Sequence, residues 1–249
     1  MKVFINYFNK LLTINQKSGF HISKNIKDIA FVILIGGRSK RFGSDKGLYI
    51  YNGNPLITHQ IEKLSILNYP IFLVANTIEQ VQTYIQSIDI SNITAFFTDD
   101  YDIIESKNIR SPLIGLYTAF KELQHLNYQN AFILSCDNPF ISIDIIEFMI
   151  QQLAFNDACM PIWDNNYVEP LFAIYKIAPF LKKTRENLSN KCLKLSKLLD
   201  PTQMKIKYIS IENEIKLIDD KLESFINVNE LTDLSNLNHF KKIIFKRKK

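Results

Sequence analysis

Blocks of apolar residues alternate with amphipathic stretches along most of the chain. Ile29–Ile35 is an unbroken apolar run rich in branched side chains, the pattern of a strand buried on both faces. Ile71–Ala75, Ile93–Phe97 and Ala131–Ser135 repeat it. Helical spacing fills the intervals: Leu56, Ile57, Ile61, Leu64 and Leu67 follow Pro55, a residue suited to a first helical turn. Thr77 is placed to cap a helix running to about Ser87, Pro112–Leu126 reads as another, and Ser142 is placed to cap Ile143–Ala154, with Asp144 suiting the dipole of the first turn. Strand–helix alternation of this kind predicts an α/β fold, a mostly parallel sheet with helices on both faces.

The later region is more mixed. Ala158–Trp163 and Val168–Tyr175 flank Asn165-Asn166 and predict a hairpin. Helices are expected near 179–189 and 193–199, a strand at Ile206–Ile211, and a last short strand at Phe225–Val228 before a helix from Glu230. Residues 1–27 show neither a clear period nor a motif.

Composition narrows the class. With 47% hydrophobic and 22% charged residues in a chain of 249, a proper core is expected and bulk disorder is excluded. No window of 18 consecutive apolar residues is present, so a spanning helix is not expected. Asn6, Asn9 and Lys10 interrupt the apolar N-terminus and argue against an export signal. Three cysteines, Cys136, Cys159 and Cys192, form neither an even set nor a metal-type spacing, which points to a reducing cytoplasm.

The net charge of +5 sits at the ends: residues 241–249 carry six cations and no acid, residues 1–28 carry five lysines against Asp28, and residues 29–240 are left at −5. A globally basic nucleic-acid surface is therefore not expected. The expected organisation is an extension over 1–28, one domain over 29–240 and a basic tail over 241–249.

Glycine marks where the chemistry sits. The chain has only 7 glycines, and five of them (Gly36, Gly37, Gly43, Gly47 and Gly53) fall within 36–53. The segment GGRSKRFGSDKG over 36–47 follows the first strand. Strand, glycine-rich turn and helix make a setting in which backbone N–H groups cradle phosphate oxygens. It lacks the Gly-Lys-Ser/Thr triplet of a P-loop and the spacing of the dinucleotide fingerprint. Arg38, Lys40, Arg41 and Lys46 against Asp45 give a local +3, a landing site suited to a triphosphate.

At these residues the chain resembles the molybdenum cofactor guanylyltransferases. Leu34-Ile35-Gly36-Gly37, then Arg41, Gly43, Asp45-Lys46 and Gly53-Asn54-Pro55-Leu56 look like that family's signature, with Ile35 and Phe42 as mild apolar replacements. Val74-Ala75-Asn76, Ser111-Pro112-Leu113-Ile114-Gly115, Cys136-Asp137-Asn138-Pro139-Phe140, Glu169-Pro170-Leu171 with Tyr175, and Asn227-Val228-Asn229 resemble further family motifs in the same order, over about residues 29–237.

The resemblance implies a Rossmann-like fold of nucleotidyltransferase type, in a monomer. It implies transfer of GMP from GTP to molybdopterin with release of pyrophosphate, and Mg²⁺ as the metal. Asp137 would hold that Mg²⁺; Lys46, with Arg41, would steady the phosphates. Leu34, Ile35, Gly36 and Gly37 would cradle the nucleotide, and Asn76 with Asp99 or Asp100 would contact the nucleoside. Asn227 and Asn229 would meet the pterin substrate. Molybdenum-insertion proteins or molybdoenzyme chaperones are the implied protein partners. Cys136 and Trp163 read as packing residues, and His21, His59, His125 and His239 carry no ligand spacing. A CTP-dependent or sugar-phosphate relative, and a non-catalytic nucleotide-binding adaptor, stay open as alternatives.

Overall fold

The computed structural model describes residues 28–36, 45–103, 109, 111–200 and 202–228. Strand β1 (Ile29–Leu34) comes first. A two-residue hairpin pairs β2 (Ile50–Tyr51) with β3 (Asn54–Pro55). Asn52 and Gly53 turn it with φ of 50° and 88°, the left-handed conformation that two-residue turns need and that Asn-Gly supplies. Then follow α1 (Leu56–Ser65), β4 (Ile71–Ala75), α2 (Ile78–Ser87), β5 (Ala95–Thr98), α3 (Pro112–His125), β6 (Asn130–Ser135), α4 (Ile143–Leu153), β7 (Ala158–Ile162), β8 (Phe172–Lys176), α5 (Ile177–Ser189) and β9 (Ile206–Ser210).

Seven strands form one sheet in the order β5-β4-β1-β6-β8-β7-β9. β5, β4, β1 and β6 are parallel, and β8 runs antiparallel between β6 and β7. Period-2 alternation splits β1 between two cores. Phe31 and Ile33 join Ile57, Ile61 and Leu64 of α1, Tyr84 of α2 and Met149 of α4 on one face. Ala30, Val32 and Leu34 join Leu116 and Phe120 of α3 and Phe180 of α5 on the other. The mostly parallel sheet with helices on both faces is thus as expected.

Four local expectations change. Ser142 makes no side-chain cap; its N–H instead donates to Ser224 Oγ at 2.9 Å. β8 starts at Phe172 rather than Val168, because Pro170 has no N–H to give a ladder. Residues 193–199 form only a 3-10 turn, Leu195–Leu198. Phe225–Val228 is no strand: a 3-10 turn, Glu223–Phe225, leads into irregular chain that docks on the loop after β6, where Val228 N–H donates to Asp137 O at 2.9 Å. The expected helix from Glu230 lies outside the described residues.

Candidate active site

A cavity of about 480 Å³ opens at the carboxyl ends of the parallel strands, the position where open α/β sheets bind ligands. Each strand contributes a residue just past its end: Asp99 directly after β5, Asn76 directly after β4, and Gly36 and Asp137 two residues beyond β1 and β6. The first turn of α3 adds Ser111, Pro112 and Gly115. Ser111 caps that helix, accepting from Leu113 N–H at 3.2 Å.

Lys46 and Asp137 meet across the cavity, Nζ to Oδ2 at 3.5 Å, with side-chain exposures of 14% and 24%. Lys46 stands on a 3-10 turn, Lys46–Leu48, capped by Asp45. That aspartate is clamped from three sides: Gly47 N–H at 3.1 Å, Gln80 Nε2 at 2.6 Å and Tyr84 OH at 2.6 Å all donate to it. Gln80 is the hub. Its Nε2 also donates to Ile35 O at 2.9 Å, and its Oε1 accepts from Asn76 N–H at 2.9 Å. One amide therefore ties the ends of β1 and β4 to the segment carrying Lys46. Burial pushes the Tyr84 hydroxyl far above its ordinary range, so it stays a donor to Asp45.

Close approach explains two glycines. A Cβ on Gly36 would lie 2.5 Å from Asn76 Oδ1, and one on Gly47 would run into the Tyr84 hydroxyl. At both positions a Cβ would require the neighbouring side chain to shift.

The Asp137 loop is braced from outside. Gln60, fully buried on α1, donates to Ser135 O at 3.1 Å and Asn138 O at 3.3 Å, on either side of Asp137. Asn138 Nδ2 donates to Asn227 Oδ1 at 2.8 Å. Asn227 is thereby fixed against the loop that carries Asp137.

The two adjacent aspartates separate. Asp99 lines the cavity, with Tyr101 OH 3.5 Å from its Oδ2. Asp100 instead pairs with Lys121 of α3, and its N–H donates to Thr118 Oγ1 at 2.8 Å. Burial pushes the Asp100 carboxyl up, but the Lys121 and Asp102 hydrogen bonds outweigh it and hold the group below the usual carboxylate range. Cys136 is buried; burial and then Asp137 push its thiol up, which leaves it an inert packing residue. Trp163 does more than pack: besides its edge contact with Phe225, its Nε1–H donates to Glu169 Oε1 at 2.8 Å.

The structure thus brings Leu34, Ile35, Gly36, Lys46, Asn76, Asp99 and Asp137 to one cavity and puts Asp100 in a separate ion pair. Gly37, Arg41 and Asn229 lie outside the described residues. Gln60, Gln80 and Tyr84 lie outside every motif named from the sequence. Gln60 was detectable as a polar residue on an otherwise apolar helix face, and Gln80 as the fourth residue of Thr77-x-x-Gln80, a capping-box spacing.

The donor set suits a hard cation that keeps other ligands. Among the described residues no three His, Cys, Asp or Glu cluster to cage a metal. Asp137 is a single partly exposed carboxylate, which fits an ion such as Mg²⁺ held by one carboxylate plus substrate phosphates and water.

Residues 31–201 match the MobA-like NTP transferase domain family. The chain belongs to that family. A Thermococcus gammatolerans protein described as a probable molybdenum cofactor guanylyltransferase is 31% identical over 207 residues, 82% of this chain and 96% of that protein. A Pyrococcus horikoshii protein of the same description is 33% identical over 209 residues, 81% of this chain and 95% of that protein. Among solved structures, the molybdopterin-guanine dinucleotide biosynthesis protein A of Archaeoglobus fulgidus superposes with a TM-score of 0.68 at 21% identity, covering 86% of this chain and 98% of that one. Among the described residues no helix is long and apolar enough to cross a membrane.

Proposed function

We propose that this MobA-like chain transfers GMP from GTP to molybdopterin, releasing pyrophosphate and forming the guanine dinucleotide of the cofactor. The observation that carries the reading is the Lys46–Asp137 pair at the strand ends, inside a cavity bordered by Gly36, Asn76 and Asp99. A terminal phosphate oxygen of the acceptor attacks the α-phosphorus of GTP. The bond to the oxygen bridging the α- and β-phosphorus breaks, and its electron pair leaves with pyrophosphate. No protein nucleophile is needed, which agrees with an inert Cys136.

The protein's work is positioning and charge neutralisation. Lys46 neutralises phosphate oxygens from a turn fixed by Asp45. Gly36 lets the chain approach the nucleotide, and Asn76 and Asp99 hold the nucleoside. Asp137 would hold Mg²⁺, whose charge draws the phosphates together when it is bound. Arg41 and Gly37 would assist from the glycine segment, and Asn227 and Asn229 would meet the acceptor. The test is incubation of the protein with molybdopterin, Mg²⁺ and each of GTP, CTP, ATP and UTP, with pyrophosphate and dinucleotide product scored. GTP is expected to serve best. Release with CTP alone would overturn the guanylyl assignment, and no release with any nucleotide would overturn the enzyme.

A further inference from the structure

Glu169 is held more firmly than a hairpin-base residue needs to be. Its N–H donates to Pro161 O at 3.1 Å, and its carbonyl accepts from Phe172 N–H at 3.0 Å. The next carbonyl, Pro170 O, accepts from the buried Tyr175 hydroxyl at 2.6 Å. Its carboxylate is aimed by Trp163 Nε1–H, and Trp163 is itself packed on Phe225. Among the described residues no other side chain hydrogen-bonds this carboxylate, which leaves Oε2 as an acceptor of two further bonds. Burial, with the charge of Asp137 adding to it, raises the Glu169 carboxyl above its ordinary range, against the lowering effect of Trp163. The register that sets Phe172 opposite Leu134 brings Glu169, just before β8, to the end of the sheet where Asp137 follows β6, and Leu171, two residues on, lines the cavity.

Sheet order says which substrate lies there. Asp99, Asn76 and Gly36 follow β5, β4 and β1, on one side of Asp137. Glu169 precedes β8, which pairs with β6 on the other side, Leu134 opposite Phe172. In-line transfer sets the acceptor opposite the leaving pyrophosphate and leaves the nucleoside to one side of that line. With the nucleoside assigned to the Asp99 side, the Glu169 side of Asp137 is the flank left to the acceptor.

We infer that Glu169 is a specificity-determining residue for the acceptor, its Trp163-aimed carboxylate receiving paired N–H donors from a heterocycle of the 2-amino-4-oxo type. Such an edge presents a ring N–H beside an exocyclic amino group, and a carboxylate takes the two as parallel charge-assisted bonds. The inference rests on the guanylyl-transfer reading, because that reading supplies a pterin acceptor.

The test measures KM for molybdopterin and for GTP separately, together with direct fluorescence titration of molybdopterin, in the wild-type chain, Glu169→Gln and Trp163→Phe. Glu169→Gln sets an NH₂ against ligand donors and should raise KM and Kd for the acceptor at least tenfold, with KM for GTP within twofold. Trp163→Phe keeps the ring on Phe225, loses the N–H, and should shift the acceptor constants the same way by less. If Glu169→Gln does not fold, the same split is read in Trp163→Phe. Unchanged acceptor constants, or an equal rise for GTP, would overturn the inference while wild-type turnover left the proposed function standing. A wild-type chain that neither binds nor converts molybdopterin would overturn both.

Discussion

Lys46 Nζ stands 3.5 Å from Asp137 Oδ2, although 91 residues separate them in the chain. Each holds the other at the point where the proposed transfer would bring a triphosphate and its cation together. Removing either charge should weaken the same set of phosphate contacts. Lys46→Ala and Asp137→Ala are each expected to lower kcat by about 10²–10³-fold, and the double variant should lose little more than the worse single one. Steady-state pyrophosphate release checks this. Circular dichroism should show the fold retained in all three.

Asp45 should behave as a structural anchor with a kinetic consequence. Asp45→Ala leaves the Tyr84 hydroxyl and the Gln80 amide without their shared acceptor. Stability should fall by about 2–3 kcal/mol, the usual cost of orphaned buried donors, and kcat should fall because the turn carrying Lys46 loses its cap. Tyr84→Phe removes one of the three donors and should cost about 1–2 kcal/mol. Urea denaturation beside activity separates the two effects.

The two close-packed glycines should fail differently. Gly36→Ala pushes on the end of the Asn76 side chain, which can move, so nucleotide affinity should drop about tenfold or more with stability nearly kept. Gly47→Ala pushes on the Tyr84 hydroxyl bonded to Asp45, so stability should fall as well. Thermal melting with and without GTP distinguishes them: ligand stabilisation is lost in the first, and the unliganded Tm falls in the second.

Adjacent aspartates should separate into binding and folding roles. Asp99→Asn is expected to raise KM for GTP with stability unchanged. Asp100→Asn should leave KM unchanged and cost about 1 kcal/mol at neutral pH by losing the Lys121 pair. The Asp100 carboxyl is held low in the folded chain, so its contribution is full above the unfolded carboxylate value of about 3.9. It is lost as pH falls through the lower folded value. The stability difference between wild type and Asp100→Asn should therefore shrink as pH falls below about 3.9 and close once the folded carboxyl is protonated.

What the sequence exposed and what it hid follow one physical division. Strands such as Ile71–Ala75 were legible because burial on both faces writes a continuous apolar run. Lys46, Gly36 and Asp137 stand out because a cationic, glycine-rich segment and an aspartate follow buried apolar runs, and the structure gathers the three at one cavity. Asp45 read as one anion in a cationic loop, since its partners Gln80 and Tyr84 lie 35 and 39 residues away. Nothing local separates Asp99 from Asp100; Lys121, 21 residues on, does. Phe225–Val228 has a strand's composition but finds no ladder partner, and its last N–H bonds Asp137 O instead. Long-range polar contacts leave no period for a pattern to catch.

The central claim is transfer at the α-phosphorus, and the fate of label in GTP tests it most directly. With molybdopterin and Mg²⁺ present, label at the α-phosphate should appear in the pterin product, and label at the γ-phosphate should appear wholly in pyrophosphate. Label from the γ-phosphate released as inorganic phosphate, or α-label that never enters the pterin product, would contradict the account.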